Sequence, residues 1–169
     1  MIEQTVLGDA LLQGAKQVFE TMIFMDMEKS SDSDLTLDHS ALLGSITFKG
    51  NMKGSLGICC DVSCAKAIAM NMLGIDDTEK ISEGEICDAI GEVTNMIMGC
   101  FKLQVADAVG NLEVSIPMVV SGCELKNNLG EDALKVLIKV NIADEYIAEL
   151  SLLYKVGSEI PLDKQRVDK

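Results

Sequence analysis

The chain has 169 residues, of which 48% are apolar, and this length is typical of one domain with a substantial core. Its formal net charge of -13 argues against binding to nucleic acids, whose phosphates select basic surfaces, and against an anionic membrane. The same charge favours partners with cationic or metal-bearing sites.

No apolar run approaches the roughly 20 residues needed to span a bilayer. The first residues, MIEQTVLGDALLQ, lack the basic and uninterrupted apolar regions of a signal peptide. We therefore expect a cytoplasmic protein whose six cysteines are reduced and serve as small hydrophobic residues of the core. A zinc site is the less favoured alternative, because the cysteines form no CxxC pair and the single histidine, His39, lies in a polar stretch.

The first predicted helix runs from about Asp9 to Met27, where apolar residues recur at steps of three and four, and Asp9 is its predicted N-cap. The stretch SSDSDLTLDHS is rich in residues that favour turns, so it predicts an exposed loop. From Ala41 onward, two runs of alternating apolar residues flank Gly50–Asn51, a pattern typical of a tight β-hairpin.

A second helix is predicted over VSCAKAIAMNML, with Asp61 or Ser63 as its N-cap and Gly74 as its end. The short acidic connection IDDTEKI follows it and leads to a third helix.

Three further alternating runs predict strands over 112–118, 134–142 and 146–154. Charged residues take the opposite parity in the last two runs, so one face of the sheet should be wet. The pattern favours an α+β fold, in which a mostly antiparallel sheet of about five to six strands carries about three helices on one face. We expect residues 1–157 to form a single domain and 158–169 to be a loose polar tail with too little apolar content to pack.

The third helix, predicted over 84–102, has a polar stripe opposite an apolar one. At about 100° per residue, the polar stripe falls within roughly 60° of Asp88. Its other members are Glu85, Glu92, Asn95, Gly99 and Lys102. The apolar stripe consists of Ile86, Ile90, Val93, Ile97 and Phe101. From periodicity alone, a solvated face is the favoured interpretation of the polar stripe.

Two details favour a surface that binds a partner. Glu92 and Asn95 are neighbours on the helix surface, so their polar groups can act on one target. Gly91 and Gly99 lie on or beside the same face, and each costs about 1 kcal/mol of helix propensity relative to alanine. Missing side chains would let a partner's backbone approach, although close packing within the chain would also explain the glycines.

The stretch DAIGEVTNMIMGCFK resembles the signature of the CheC/CheX/FliY family of chemotaxis phosphatases, and most of all its CheX branch. That signature is Asp or Ser, three residues, Glu, two residues, Asn, and a proline about twenty-two residues on. Asp88, Glu92 and Asn95 satisfy the spacing, and Pro117 arrives one residue early, which suggests a shorter loop. The order of predicted elements agrees along most of the chain.

The resemblance implies a phosphatase of phosphorylated CheY-type receiver domains, whose motif helix docks against the receiver's phosphorylated aspartate. Carried over, Asn95 would orient the attacking water, Glu92 would pair with the receiver's active-site lysine, and Asp88 would support docking. Because they lack side chains, Gly91 and Gly99 are expected to belong to the same binding surface. The resemblance also implies a homodimer with contacts through the sheet. We expect no cofactor of the chain's own, and Mg²⁺ supplied by the receiver.

The chemistry of the side chains agrees with this role independently. An acyl phosphate already has a good leaving group, so what remains is to orient a water, as a glutamine does in some GTPases. A neutral amide offers a donor and an acceptor but cannot serve as a general base, which leaves positioning as the role for Asn95.

Two other functions stay open: an adaptor that binds phosphorylated receivers without hydrolysing them, and a structural component related to flagellar switch proteins. Some members of the family carry the motif twice. Here Lys16 and Ile23 stand around Glu20 of the leading helix where the motif would need Asp or Ser and Asn, so we expect one site per chain.

Overall fold

The fold is known from a computed structural model that describes residues 2–32, 37 and 40–157. The described residues form three α-helices and a seven-stranded sheet. The helices are α1 (Gln4–Val18), α2 (Val62–Leu73) and α3 (Glu83–Val109), and α1 continues into a π-helical turn, Phe19–Ile23. The strands are β1 (Met27–Lys29), β2 (Ala41–Lys49), β3 (Met52–Asp61), β4 (Glu113–Val114), β5 (Met118–Gly122), β6 (Leu134–Ile142) and β7 (Tyr146–Val156).

All strand pairs are antiparallel, and the strand order is β1-β6-β7-β3-β2-β4, with β5 also pairing with β2. The predicted α+β class, with three helices and an antiparallel sheet, is therefore confirmed. The predicted hairpin of β2 and β3 is present, and its pairing of Phe48 with Gly54 centres the turn on Asn51. The predicted tail, 158–169, and His39 lie outside the described residues.

The hydrophobic core lies between the helices and one face of the sheet, to which every second residue of a strand points. In β7, for example, Ala148, Leu150 and Leu152 are fully buried. The rings of Phe48 in β2 and Phe101 in α3 lie 6.4 Å apart between centroids and join the two layers. None of the helices in the described part of the chain is long and apolar enough to cross a membrane.

The other face of the sheet is only partly wet, in contrast to the prediction. Lys135 on β6 is exposed as expected. At β2 and β3, however, a small buried cluster lies on this face; its members are Ala41, Leu43 and Cys59, with Leu37 and Leu125 packed against it. The segment between β5 and β6 is held here because Asn127 Nδ2 donates to Ser55 Oγ over 3.0 Å.

The bounds of the first helix were predicted wrongly. α1 begins at Gln4, and Asp9 is an exposed residue inside the helix. The N-cap is Glu3, which makes no side-chain capping bond, so the usual sequence signal for a helix start is missing. The helical run ends at Phe24, whose left-handed φ of 60° breaks the helix, and Met27 belongs instead to β1, a strand that was not predicted.

The predicted bounds of α2 are confirmed. Asp61 is the cap, and its side chain accepts a hydrogen bond of 2.7 Å from the backbone N–H of Cys64. Gly74 ends the helix in the left-handed conformation, with a φ of 63°.

The single strand predicted over 112–118 is instead two short strands, β4 and β5, both paired with β2. Pro117 lies between them and has no N–H to give to a ladder. Ser115 Oγ accepts a 3.0 Å hydrogen bond from the N–H of Thr47 there. Only Leu112 of the run's alternating apolar residues is buried, and Ile116 is 87% exposed.

Candidate functional site

The motif helix α3 begins at a complete capping box. The Ser82 N–H and hydroxyl donate to Glu85 Oε2 over 2.8 and 2.9 Å, and the Glu85 N–H donates to Ser82 Oγ over 3.2 Å. The two bonds that Ser82 donates to the carboxylate hold the pKa of Glu85 below its ordinary value of 4.5, and the bond from the Ser82 backbone N–H has the larger effect. The start of the helix is thereby fixed just ahead of Asp88.

The side chains of Asp88, Glu92 and Asn95 are all exposed. The predicted apolar stripe on the opposite side of α3 is buried; its members are Ile86, Ile90, Val93, Ile97 and Phe101. The helix therefore has one face in the core and one face toward solvent, and the three motif residues share the second face. A four-residue and a three-residue step place them one turn apart along it.

The motif side chains are not engaged by the chain itself. Within the part of the chain that the structure describes, no residue makes a hydrogen bond or ion pair with Asp88, Glu92 or Asn95. Their carboxylates and amide are thus free to pair with groups outside the chain. Such a pairing gains strength when a partner excludes water from it.

The two glycines beside the polar stripe lie in different surroundings. Gly99 is exposed, and a β-carbon built on it would meet no atom within 4 Å. Gly91 is buried, and a β-carbon there would lie 3.5 Å from Val119 Cγ2 and 3.8 Å from Pro117 Cγ. These are ordinary van der Waals distances, so Gly91 faces the chain's own β5 without being crowded, whereas Gly99 opens onto solvent.

Pro117, the last element of the motif, lies against the same turn of α3 through Gly91. Its neighbours Ile116 and Met118 are 87% and 65% exposed, so an apolar edge flanks the polar stripe. Sequence reasoning missed this edge because alternation had placed both residues on the buried side of a regular strand.

A further contact that sequence reasoning did not single out lies beneath the stripe. Thr94 is fully buried, and its hydroxyl donates to the carbonyl of Ile90 over 2.7 Å. A β-carbon on Gly44 of β2 would overlap this hydroxyl. A glycine at a core-facing position of a strand is the signal that could have revealed such a close approach.

The leading helix does not present a second copy of the motif. Glu20 is exposed, but Lys16 Nζ lies 3.0 Å from Glu28 Oε2, in an ion pair. Ile23 is fully buried.

The cysteines lie at three levels of exposure: Cys59, Cys60 and Cys64 are buried, Cys87 and Cys100 are half-buried, and Cys123 is exposed. Burial, with Glu149 as a lesser cause, raises the pKa of Cys59 to about 11. A hydrogen bond with Cys64, followed by burial, raises the pKa of Cys60 well above 9.0. Among the described residues, no group of three or more His, Cys, Asp and Glu is arranged to hold a metal ion.

A family model described as chemotaxis phosphatase CheX matches residues 42–140, which is more than half of the chain and includes the whole motif helix. No curated protein matches the sequence.

Solved structures share the fold. A chemotaxis protein CheX from Vibrio vulnificus is 22% identical, with a TM-score of 0.74 over 88% of this chain and 96% of that one. A putative chemotaxis protein from Desulfovibrio vulgaris Hildenborough is 20% identical, with a TM-score of 0.76 over 92% of this chain and 100% of that one. A chain of the CheX–CheY–BeF3–Mg²⁺ complex from Borrelia burgdorferi is 18% identical, with a TM-score of 0.67 over 87% of this chain and 96% of that one.

Proposed function

Because the chain belongs to the CheX family of chemotaxis phosphatases, we propose that it accelerates hydrolysis of the aspartyl phosphate on a CheY-type receiver domain. The observation that supports this most is the exposed, unpaired Glu92 and Asn95 on one face of α3, which have no use within the chain. The Borrelia burgdorferi complex, in which a CheX is bound to a CheY, supports the choice of partner.

Asn95 orients the attacking water in this mechanism. Its amide oxygen accepts a hydrogen bond from the water while its N–H₂ group donates to the phosphoryl oxygens or to the receiver. The amide takes no proton, so its contribution is to hold the water in line with the bond that breaks. A side chain on a helix packed against a sheet is well suited to this, because the buried stripe of α3 limits its movement.

Glu92 pairs with the receiver's active-site lysine. In the unbound protein the carboxylate of Glu92 is solvated. Docking removes this water and replaces it with the lysine ammonium. Asp88 supports docking one turn earlier on the same face, and Gly99 allows the receiver's backbone to approach. Gly91 is buried beside Pro117 and Val119, so it does not contact the receiver in this proposal.

Magnesium belongs to the receiver in this proposal. Because the described residues include no group of three or more His, Cys, Asp and Glu suited to a metal, the proposal assigns no Mg²⁺ site to this chain. The Borrelia burgdorferi complex contains Mg²⁺ together with CheY, which supports supply by the partner.

A homodimer is the second part of the proposal. β5 pairs with β2 on one side, and no described strand pairs with its other side. Met118 and Val120 on this strand are 65% and 41% exposed, and an open edge with apolar side chains is a template for pairing with another chain. Sedimentation equilibrium should give twice the mass of the 18.2 kDa chain, and the monomer mass for Val120→Arg.

The test of the proposed activity is loss of phosphoryl groups from CheY-type receivers phosphorylated by an acyl phosphate. Wild type should shorten the lifetime of the phosphorylated receiver, and Asn95→Ala should reduce the acceleration by about 100-fold or more, because the water is no longer held. Asn71→Ala is the matched control, since Asn71 is an exposed asparagine on another helix.

Thermal unfolding of the variants shows whether the fold is intact. A receiver lifetime that wild type leaves unchanged, together with tighter retention of the phosphorylated receiver in a pull-down, would instead indicate the adaptor. Equal activity of Asn95→Ala and wild type would contradict the mechanism.

A further inference from the structure

The turn of α3 that carries Glu92 sits directly on a glycine of the sheet. A β-carbon on Gly44 would overlap Thr94 Oγ1 and lie 3.0 Å from Ile90 Cγ2 and 3.3 Å from the Ile90 carbonyl oxygen. Ile90 and Thr94 are both fully buried, so neither can turn away into solvent. The absence of a side chain at this one position therefore decides how closely the helix approaches β2.

The neighbouring strand β5 contacts the same turn of α3. Gly44 pairs with Val119 in the ladder between β2 and β5, and Val119 Cγ2 would lie 3.5 Å from a β-carbon on Gly91. Residues 90–94 of α3 thus rest on two paired residues of the sheet, with a glycine on each side of the contact. We call Gly44, Gly91, Thr94 and Val119 the glycine seat.

The hydroxyl of Thr94 adds a constraint within the helix. It donates to the Ile90 carbonyl over 2.7 Å, a bond of the type that tends to bend a helix locally. The next residue along the chain is Asn95. Any shift of Thr94 relative to β2 is therefore passed directly to the backbone from which the Asn95 amide projects.

We propose that the glycine seat sets the position of Asn95 for catalysis, and that Gly44 and Thr94 are positioning residues, an inference that rests on the proposed phosphatase function. Asn95 has a short side chain and cannot compensate for a displaced backbone, and misplacement by about 1 Å can cost about 100-fold in rate. Glu92 has a longer side chain that still reaches a lysine after such a shift.

The test is Gly44→Ala, assayed by hydrolysis of a CheY-type receiver phosphorylated by an acyl phosphate. The added methyl group moves the helix away from β2. We expect kcat to fall about 10- to 100-fold, whereas KM for the receiver changes less than about threefold, because docking through Glu92 persists. A purely structural role would lower the amount of folded protein without this division between kcat and KM.

A second substitution that makes room for the added methyl group should restore kcat. Thr94→Ala removes the hydroxyl that the new methyl group would meet, so the double variant Gly44→Ala with Thr94→Ala should recover kcat to within about threefold of Thr94→Ala alone. Failure of the double variant to recover while it remains folded would overturn the seat.

Gly50→Ala is the control for loss of stability. A β-carbon on Gly50 would lie 2.7 Å from the Asn111 carbonyl oxygen and 3.1 Å from Leu112 Cδ2, so it is crowded too, but Gly50 lies in the turn between β2 and β3 and its nearest neighbours belong to the segment that follows α3. We expect reduced stability with unchanged kcat. An equal loss of kcat in Gly50→Ala and Gly44→Ala would show that stability alone is responsible.

Should Gly44→Ala fail to fold, Thr94→Val decides the question, because it puts a larger methyl group in place of the hydroxyl against Gly44. A reduced kcat with unchanged KM supports the seat, and wild-type kinetics overturn it. The two proposals fail differently: an inactive wild type contradicts the phosphatase function, and with it the seat, whereas an active wild type with an equally active Gly44→Ala contradicts the seat alone.

Discussion

The helices α1 and α3 lie side by side on the same face of the sheet, yet only α3 presents a candidate site. At their contact, a β-carbon on Gly14 of α1 would lie 3.3 Å from Cys100 Cβ of α3. Each helical run also carries an exposed glutamate, Glu20 in the first and Glu92 in the second. The comparison therefore isolates what a glutamate needs around it to become part of a site.

The difference lies in the residues four before and three after each glutamate. Around Glu92, both of these side chains are exposed and unpaired. Around Glu20, Lys16 is held by Glu28, and Ile23 is buried at the end of the π-helical turn, where the wider winding changes the direction of side chains. The two helical runs therefore differ in the direction and freedom of the residues around the glutamate, and not in the glutamate itself.

The largest difference between the two helices should appear when each glutamate is neutralised. Glu92→Gln removes the partner of the receiver lysine, and truncation of such a buried pair costs about 2–5 kcal/mol, so we expect KM for the phosphorylated receiver to rise about 100-fold. Glu20→Gln should change it less than about twofold. Steady-state hydrolysis at varied receiver concentration measures both, and equal effects would remove the distinction between the helices.

Alanine at one glycine of each helix should change stability with opposite sign. Gly14→Ala crowds both Cys100 and the Phe101 backbone nitrogen at 3.3 Å, and we expect a net loss of about 1 kcal/mol in the free energy of unfolding. Gly99→Ala projects into open space and should gain about 0.5–1 kcal/mol. Urea unfolding of the two variants decides this, and a loss of stability at Gly99 would show an unrecognised contact.

The N-termini of the helices should also differ. Ser82→Ala removes the cap of α3 and should lower the free energy of unfolding by about 1 kcal/mol, whereas Glu3→Ala removes no capping bond from α1 and should stay within about 0.5 kcal/mol of wild type. Thermal unfolding, with hydrogen exchange in the first turn of α3, measures the effect. Identical results for both variants would mean that the capping box contributes nothing.

The smallest expected effect is a pH dependence at the start of α3. Since the folded protein lowers the pKa of Glu85, this carboxylate stabilises the protein above pH 4.5, and its contribution is lost as the pH falls through the lowered pKa. Glu85→Gln should flatten the stability profile of the wild-type protein below pH 4.5. Chemical unfolding measured at a series of pH values tests the difference.

Local chemistry made the central elements predictable. The capping side chain of Asp61 and the left-handed conformation of Gly74 define the two ends of α2, as predicted. The apolar stripe of α3 is buried, as its helical period predicted. The exposure of the Glu92 and Asn95 side chains follows from the same period. The choice between a solvated face and a docking face did not follow from it and came from the spacing of the motif.

Other elements depend on contacts that are distant in the sequence. β1 has three residues and exists because Met27 and Lys29 pair with β6, far along the chain. Alternation in the sequence predicted that Ile116 is a core residue. It is exposed because it lies next to Pro117, between two short strands at the edge of the sheet. The sequence also could not show whether Gly91 faces a partner or the chain itself. It faces the chain itself, because it lies beside Val119, which is distant in the sequence.

The graded burial of the cysteines makes the protein ready for spectroscopy without mutation. At neutral pH a maleimide dye should modify Cys123 first, because Cys123 is exposed and the buried thiols of Cys59 and Cys60 resist ionisation. Cys123 directly follows β5, the strand beside the motif helix. Energy transfer from a dye at this position to a labelled receiver would therefore report docking and release in real time.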